Sequence, residues 1–340
     1  MSARAADVFI DPIFHAEFGR HPLVLADIGA RGGLKKDWRA AREHLRLVGF
    51  EPDAEEFARL EARARESGGR HRYFQIAVHN QRGTLPIHVA RDRGLTSMFE
   101  PNRAFLDAFP DAERFDIVDR REIETDTLDA VLAGNGITDL DFVKADTQGS
   151  ELFVLEGASR ALAGPVVGVE VEVEFAPIYT GQPLFADVDA FMRGLGYALF
   201  DLRPCYWKRA AGRDLGGPYG QIVWGDALYL KGWPALSRQL ASLDREAARA
   251  KMLHALVVSL LYGYADHALD LAGHTADLWT PAERAAIDAR LRVRTGRNHA
   301  VPKFPGRGRV AGALRHLWTR LREPNDAWSV SDADLGNTDS

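Results

Sequence analysis

Several features that mark common protein classes are missing from this sequence of 340 residues. It has a single cysteine, Cys205, so an internal disulfide and a cysteine-based zinc cluster are excluded, and a reducing compartment is expected. The longest apolar run, Ala255–Tyr262, is far shorter than the roughly 18 residues of a membrane span. The N-terminus carries Asp7 and Asp11 and has no long apolar core, which argues against a signal peptide. Together these absences predict a cytoplasmic location.

The sequence also lacks an excess of positive charge. Its net charge is −5 and its pI is near 6.1, which argues against a globally basic nucleic-acid-binding protein. Hydrophobic residues make up 46% of the chain and charged residues 27%, which is typical of a globular protein with a large core. The length predicts one large domain with an appendage, or two domains.

Strand patterns alternate with helix patterns over the first two thirds of the chain. The predicted strands are Leu23–Ile28, Leu45–Glu51, Arg72–Val78, Thr84–Val89, Asp116–Thr125, Leu140–Ala145, Val166–Phe175, Tyr197–Leu202 and Ala227–Leu230. The predicted helices include Lys35–His44, Thr127–Gly134 and Glu151–Leu162. Two more are predicted, one that is capped by Asp53 and runs to Glu66, and one whose last turns are Ala190–Leu195. This alternation predicts an α/β fold, with a mostly parallel sheet and helices on both faces.

The character of the chain changes after about residue 232. We divide it into an N-terminal leader (1–22), the α/β domain (23–232), a helical extension (233–295) and a C-terminal part (296–340). The extension is rich in Ala, Leu and Arg and predicts helices over Pro234–Tyr264, Ala265–Leu278 and Pro281–Arg294. The C-terminal part reads as a basic linker, a short amphipathic helix and a disordered acidic tail.

The predicted sheet places several functional candidates at one edge. Ligands of parallel sheets bind at the carboxyl ends of the strands. In this chain those ends carry Asp27, Glu51, Ala77, Asp146 and Glu174, and a glycine-rich turn follows the first strand. Glycines at such a turn allow a ligand to approach the backbone closely. We therefore expect these residues to converge on one ligand site.

The glycine-rich turn has two candidate ligands, a dinucleotide and S-adenosylmethionine. A dinucleotide site favours G-x-G-x-x-G, whereas this chain has Gly29-Ala30-Arg31-Gly32-Gly33. Asp27 would repel a pyrophosphate but suits S-adenosylmethionine, which carries an ammonium and a sulfonium group. Glu51 can accept hydrogen bonds from ribose hydroxyls in either ligand, so it does not discriminate between them. The alternatives to a methyltransferase are a nicotinamide-dependent oxidoreductase and a non-catalytic cofactor-binding or scaffold module.

Four motifs together resemble the FkbM family of S-adenosylmethionine-dependent methyltransferases, over about residues 23–231. They are DIGARGG at 27–33, GFEPD at 49–53, TLD at 127–129 and DFVKADTQGSELFVLEGA at 141–158. The family commonly has Asn where this chain has Arg31. The resemblance implies a class I methyltransferase sheet, a Rossmann-like fold whose last strand is antiparallel. It also implies methyl transfer, most often to the oxygen of a sugar, glycolipid or natural-product hydroxyl.

The cofactor and the reaction each have candidate residues. For cofactor binding they are Asp27, Gly29, Ala30, Arg31, Gly32, Glu51, Pro52, Ala77, Asp146 and Gln148. Asp146 is placed nearest to the chemistry, as a general base or as a metal ligand, with Glu174 and His79 as further catalytic candidates. The alternatives for Asp146 are a hydrogen bond to the backbone of the following helix or to the methionine amine.

Alternating glutamates on one strand suggest a metal site. Glu170, Glu172 and Glu174 share one face of the strand, where their charges repel each other. A divalent ion such as Mg²⁺, held by Asp146, Glu172 and Glu174, would relieve this repulsion. Ion pairs with Arg or Lys side chains, including Lys144, are the alternative.

The acceptor site and the C-terminal part complete the predictions. Candidates for the acceptor pocket are Ser97, Asn102, Tyr179 and Gln182, with ordinary packing as the alternative. Cys205 lacks a paired histidine motif and is predicted to be inert. From Arg292 to Arg322 the chain has nine Lys/Arg residues and no acid. The apolar face of residues 310–322 predicts peripheral contact with an anionic membrane, or docking on the domain or on a second subunit of a homo-oligomer. The expected substrate is a small-molecule, glycan or glycolipid acceptor, not a nucleic acid.

Overall fold

The main sheet is built around β1 (Leu23–Ile28), in which every residue is buried. The computed structural model describes residues 12–66, 70–215, 219–292, 304–321 and 328–330, together with residue 335. The other strands are β2 (Leu45–Phe50), β3 (Arg72–Phe74), β4 (Ala77–Val78), β5 (Gly83–Ala90), β6 (Ile117–Asp126), β7 (Phe142–Ala145), β8 (Gly168–Glu174), β9 (Tyr197–Trp207), β10 (Gln221–Lys231) and β11 (Trp328–Val330).

The strand order of this sheet confirms the expected fold class. Eight strands pair in the order β11-β9-β10-β8-β7-β1-β2-β3. The strands from β8 to β3 in this order run parallel to one another. β10 lies antiparallel between β8 and β9, and it is the last strand of the α/β part. This is the mostly parallel class I methyltransferase sheet with an antiparallel last strand.

Helices cover both faces of the sheet. They are α1 (Pro12–Arg20), α2 (Ala54–Glu66), α3 (Arg103–Leu106), α4 (Leu128–Gly134), α5 (Glu151–Glu156), α6 (Ser159–Ala163), α7 (Phe185–Gly194), α8 (Trp233–Leu240), α9 (Arg245–Leu261), α10 (Ala265–His274), α11 (Pro281–Leu291) and α12 (Arg307–Leu321). Short 3-10 segments lie at Lys36–His44, Arg93–Leu95, Ala112–Phe115, Ala210–Gly212 and Ala276–Leu278. No described helix is both long and apolar enough to cross a bilayer.

The two faces of the sheet have separate cores. Leu23 and Leu25 of β1 pack with α1 and with the helices of the extension, whereas Val24 and Ala26 pack with α5 and α7. Alternate residues of a strand point to opposite faces, so a strand covered on both sides is apolar throughout. The first core includes Trp38, whose Nε1 donates to the Tyr262 hydroxyl at 3.2 Å. The helical extension thus covers one face of the sheet.

One predicted strand is wrong because the chain turns within it. The segment Arg72–Val78 forms two short strands that belong to different sheets. β3 extends the main sheet beside β2, whereas β4 pairs with β6 in a second, three-stranded sheet of order β4-β6-β5. The predicted extra hairpin strand is β5, which pairs antiparallel with β6. This second sheet covers the carboxyl edge of the first.

Two predicted helices are interrupted. The helix over Glu151–Leu162 breaks into α5 and α6 beside Gly157, where an added Cβ would lie 2.1 Å from the carbonyl oxygen of His79. The segment Pro234–Tyr264, predicted as one helix, forms the two helices α8 and α9. The second begins anew because the Asp244 side chain caps α9, accepting from the backbone N–H of Ala247 at 2.8 Å. Both breaks follow from contacts that helical periodicity does not reveal.

The C-terminal part differs from the predicted disordered tail at one place. Residues 328–330 form β11, which pairs with β9 at the edge of the main sheet. The predicted amphipathic helix is present as α12, although the side chains beyond Trp318 lie outside the described residues. Most of the predicted linker and of the acidic tail also lies outside them.

Candidate active site

A cavity of about 640 Å³ lies at the carboxyl ends of β1, β2 and β7. This size suits a small-molecule ligand or cofactor. Ten of the predicted site residues line it, namely Gly29, Arg31, Glu51, Pro52, Ala77, His79, Ser97, Asp146, Gln148 and Glu172. Residues that are far apart in the sequence therefore meet at one edge of the sheet. Of the five strand-end residues expected to converge there, Glu51, Ala77 and Asp146 line the cavity, whereas Asp27 and Glu174 do not.

The glycine turn forms one wall of the cavity. Gly29 has a φ of 77° and Gly32 a φ of 82°, a conformation that other residues rarely adopt. A Cβ on Gly29 would lie 2.0 Å from the carbonyl oxygen of Asp146. The N–H groups of Gly29 and Ala30 donate to the Phe50 carbonyl, both at 3.1 Å. The turn is thereby fixed between β2 and the end of β7.

Asp27 lies next to this turn but is not among the residues that line the cavity. Its Oδ1 is 3.2 Å from the Nζ of Lys144, the residue paired with it in β7. Lys144 Nζ also lies 3.7 Å from Asp146 Oδ2 and donates to the Gly29 carbonyl at 3.2 Å. Burial raises the pKa of Asp27, although Lys144 acts against this rise. Lys144 therefore connects the two aspartates through one buried ammonium.

Glu51 follows β2 and is buried at the cavity wall. Its Oε1 accepts from the Asp53 N–H at 3.0 Å, and Asp53 in turn caps α2 by accepting from the N–H of Glu56. Burial raises the pKa of Glu51, and the positive charge of Arg31 counteracts that rise. Arg31 thus lies near Glu51. The second carboxylate oxygen of Glu51 has no hydrogen bond to a described residue.

The loop after β7 is held in one arrangement by hydrogen bonds. Gln148 has a φ of 59°, which is unusual for a residue other than glycine and marks a constrained position. Its Nε2 donates to Glu172 at 2.7 Å and to Asp146 at 3.4 Å. Its backbone carbonyl accepts from Ser97 Oγ at 2.6 Å, and its Oε1 accepts from the Tyr179 hydroxyl at 3.1 Å. These bonds orient Asp146 at the cavity wall.

The glutamates of β8 separate into two groups. Glu170 accepts from Lys35 Nζ at 2.6 Å and from the Tyr262 hydroxyl at 2.7 Å, and Lys35 lowers its pKa. Glu172 and Glu174 instead group with Glu151, with oxygen atoms within 4.8 Å of one another. The predicted metal set named Asp146 as the third member, whereas the structure places Glu151 there.

Without a bound ion, this acidic group holds protons readily. Burial and neighbouring carboxylates raise the pKa values of Glu172 and Glu174 well above their usual range. Burial raises the pKa of Glu151 to about 7. Glu151 oxygens already accept from the N–H groups of Thr147 and Gly149, at 2.6 and 2.9 Å. Either protons or a divalent ion would relieve the repulsion among these three carboxylates. The ion pair of Glu170 with Lys35 agrees with the alternative we gave for this strand.

Sequence reasoning missed the second wall of the cavity. Leu85, Ile87 and Val89 of β5 point into it, and Trp207 and Trp224 line it from β9 and β10. The alternation of β5 is the signal that could have identified this apolar wall, but the pattern does not show which surface the strand covers. These side chains make one side of the cavity apolar.

His79 and Cys205 both line the cavity, but their protonation states differ. His79 is buried against Phe153, and neither ring nitrogen is hydrogen-bonded to a described residue. Burial lowers the pKa of His79, so its ring is neutral near physiological pH and can accept a proton. Burial raises the pKa of Cys205 to about 12, so the thiol stays protonated and unreactive.

Of the four acceptor candidates, Ser97 lines the cavity. Asn102 instead donates through Nδ2 to the Pro177 carbonyl at 2.9 Å. Tyr179 is buried, and its hydroxyl oxygen lies 3.1 Å from the Leu95 carbonyl oxygen as well as from Gln148 Oε1, so its single proton is shared between these two acceptors. Gln182 accepts from the backbone N–H of Tyr179. These three contacts join the loops around the cavity, which is the packing alternative we gave for them.

Comparison with known proteins gives one match in sequence. A family model described as the methyltransferase FkbM domain matches residues 27–199, just over half of the chain. No curated protein sequence matches the chain.

Solved structures resemble the chain at low identity. An FkbM methyltransferase from Methylobacillus flagellatus KT shares 16% identity over 62% of this chain with a TM-score of 0.37, and the chain spans 43% of that protein's length. A precorrin-6y C5,15-methyltransferase from Geobacter metallireducens GS-15 shares 11% identity over 68% of this chain and 94% of that one, with a TM-score of 0.30. The N-terminal domain of EvdMO1, crystallised with SAH and D-fucose, shares 11% identity over 67% of this chain and 83% of its own, with a TM-score of 0.29.

Proposed function

The chain belongs to the FkbM methyltransferase family, and from this premise we propose that it transfers a methyl group from S-adenosylmethionine to a hydroxyl oxygen of a sugar, glycolipid or natural product. The observation that carries the proposal is the cavity at the carboxyl edge of the sheet. Gly29, Glu51 and Asp146 line it, and each of them belongs to a different one of the four family motifs. Neither a nicotinamide-dependent reaction nor a scaffold role has a comparable observation in its favour.

The donor set around the cavity fits S-adenosylmethionine. Gly29 lines the cavity with its backbone alone, so no side chain of its own stands between the turn and a ligand. Glu51 offers a carboxylate oxygen that can accept hydrogen bonds from ribose hydroxyls. Asp27 and Asp146, joined through Lys144, offer negative charge near the turn for a cationic ligand. When bound, S-adenosylmethionine supplies an electrophilic methyl group on its sulfonium.

A hydroxyl acceptor has to lose its proton when its oxygen is methylated, and two cavity residues can accept it. His79 would accept it on a ring nitrogen once the ring turns toward the cavity, because both ring nitrogens are buried in the present arrangement. Asp146 offers a carboxylate whose Oδ2 is 3.7 Å from Lys144 Nζ. The apolar wall of β5 excludes water, which favours the approach of a fixed acceptor over solvent.

Calorimetry with S-adenosylhomocysteine and with NAD tests the proposal. We expect binding of S-adenosylhomocysteine and none of NAD, and Glu51→Gln should weaken the former about tenfold or more. The matched control is Glu55→Gln, an exposed acid on α2. Binding of NAD alone, or equal affinity in Glu51→Gln, would contradict the proposal. Turnover with a panel of hydroxyl acceptors then distinguishes an enzyme from a binding module.

We further propose that α12 contacts an anionic lipid surface. Val310, Leu314, Leu317 and Trp318 are all at least half exposed on this helix. Basic side chains surround them, and the segment from residue 292 to residue 322 contains no acid. An exposed apolar face with basic neighbours matches helices that lie in the interface of anionic bilayers. Such contact would bring the enzyme to a glycolipid acceptor.

A further inference from the structure

A second cavity, of about 510 Å³, lies at the opposite edge of the main sheet. Its walls are the loops before β1, β7 and β8, the end of β10, and parts of α8 and α9. The parallel strands begin at this edge, and β10 ends there because it runs antiparallel to β8. The cavity shares no lining residue with the active-site cavity, and a strand length of about 20 Å separates the two edges.

Five basic side chains line this second cavity. They are Lys231 at the end of β10, Arg238 on α8, Lys251 and His254 on α9, and His21 before β1. The nearby acids already have partners, and one of them pairs with Lys251 and His254 of this set. Asp141 is fully buried and accepts from Lys251, from His254 at 2.8 Å and from the Val24 N–H at 2.8 Å. Asp139 forms an ion pair with Arg46.

Lys231 is the most unusual of these residues. It is 2% exposed, and its Nζ donates to the Gly164 carbonyl at 2.8 Å and to Gln239 Oε1 at 3.2 Å. Neither Lys231 nor Arg238 forms an ion pair with a carboxylate in the part of the chain that the structure describes. Burial and the charges of Lys251 and Arg238 lower the pKa of Lys231 to about 7. A buried amine of this kind needs a negative partner to keep its charge.

We propose that this cavity binds the phosphate group of a small molecule, with Lys231 and Arg238 as its direct ligands. A phosphate dianion supplies the negative charge that the two side chains lack. It also matches the combination of a guanidinium fork with an ammonium. A single carboxylate would leave one of the two positive charges uncompensated. The volume of the cavity leaves room for the remainder of a phosphorylated metabolite.

The proposal is tested by calorimetric titration with inorganic phosphate and with glycerol 3-phosphate, at an ionic strength held constant with chloride. We expect saturable binding that Lys231→Met weakens about tenfold or more, because a charged hydrogen bond to the anion is lost. Arg238→Gln should weaken it severalfold. The matched control is Arg284→Gln, an exposed arginine on α11 outside the cavity, which should bind like the wild type.

Lys231→Met removes a buried amine without adding volume, and its unfolding temperature shows whether the variant folds. If it does not fold, Arg238→Gln carries the test, because Arg238 is exposed on α8. Absence of saturable binding in the wild type, or unchanged affinity in both cavity variants, would overturn the proposal. Tighter binding of glycerol 3-phosphate would identify a phosphorylated metabolite as the ligand, and tighter binding of inorganic phosphate would identify free phosphate.

Discussion

Gly29 affects both the backbone geometry of the turn and the binding of the cofactor. Its positive φ and the 2.0 Å approach of an added Cβ to the Asp146 carbonyl allow no other residue without movement of β7. We expect Gly29→Ala to lower the free energy of unfolding by about 3 kcal/mol. It should also abolish binding of S-adenosylhomocysteine. Urea unfolding and calorimetry measure the two effects.

Gly134 provides the control for this substitution. It ends α4, its φ is not positive, and nothing lies within 4 Å of an added Cβ. Gly134→Ala should therefore leave binding unchanged and either keep or slightly raise stability. If both alanine variants behaved alike, the close contact between the glycine turn and the end of β7 would have no energetic importance.

Glu172 links the acidic group to the pH dependence of stability. Its raised pKa means that the folded protein holds a proton that the unfolded chain releases above its ordinary pKa of about 4.3. The folded state then binds more protons, so this group contributes stability at low pH that is lost as the pH rises. Glu172→Gln keeps an acceptor for Gln148 and removes the titrating group. We expect the variant to be more stable near neutral pH, by about 1 kcal/mol or more, and equally stable at about pH 4.

Urea unfolding at several pH values measures this difference, with the exposed Glu124→Gln on β6 as the control. A chelator should leave the melting temperature of the wild type unchanged, because protons balance the acidic group. A lower stability of Glu172→Gln near neutral pH, together with destabilisation by the chelator, would instead indicate a bound divalent ion.

At the scale of single elements, α12 stands apart from the rest of the described structure. Every residue from 304 to 318 is exposed, so its apolar side chains add nothing to the core. We expect it to bind vesicles that contain anionic lipid, with binding weakened by salt because screening reduces the electrostatic attraction. Leu314→Asp combined with Leu317→Asp should abolish sedimentation with the vesicles.

The control adds the same charge at another exposed helix, as Ala285→Asp with Ala289→Asp on α11. Those substitutions should leave vesicle binding largely intact. Equal loss in both double variants would indicate a general charge effect, and absence of binding by the wild type at low salt would rule out the membrane contact.

For the molecule as a whole, the shared core between the sheet and the extension matters most. Leu25, Trp38 and Phe142 of the α/β part pack in one cluster with Met252 and Leu256 of α9. Thermal unfolding should therefore show one cooperative transition for both parts. Leu256→Ala should lower the unfolding free energy by about 2–5 kcal/mol, because it leaves a cavity in that core.

Leu215→Ala, at a side chain that is 72% exposed, is the control and should change stability little. Differential scanning calorimetry provides the measurement. Two separate transitions, with Leu256→Ala shifting only one of them, would show that the extension folds as an independent domain.

Features that depend on neighbours in the chain could be predicted without the three-dimensional structure. The buried strand Leu23–Ile28, the cap of α2 by Asp53 and the start of α11 at Thr280 follow from local patterns, and the structure confirms all three. The family motifs are likewise short and contiguous. The cavity residues Glu51 and Asp146 were predictable because parallel strands bring their carboxyl ends to one edge.

Contacts between residues that are distant in the chain depend instead on how the elements pack. Glu151 rather than Asp146 joins Glu172 and Glu174, because α5 starts beside the end of β8. The split between β3 and β4, which starts the second sheet, depends on pairing with β6 about 50 residues later. Lys231 reaches the opposite edge of the sheet because β10 runs antiparallel to β8. Periodicity shows which face of an element is buried, but packing between distant elements selects the partner, and here that selection formed both cavities.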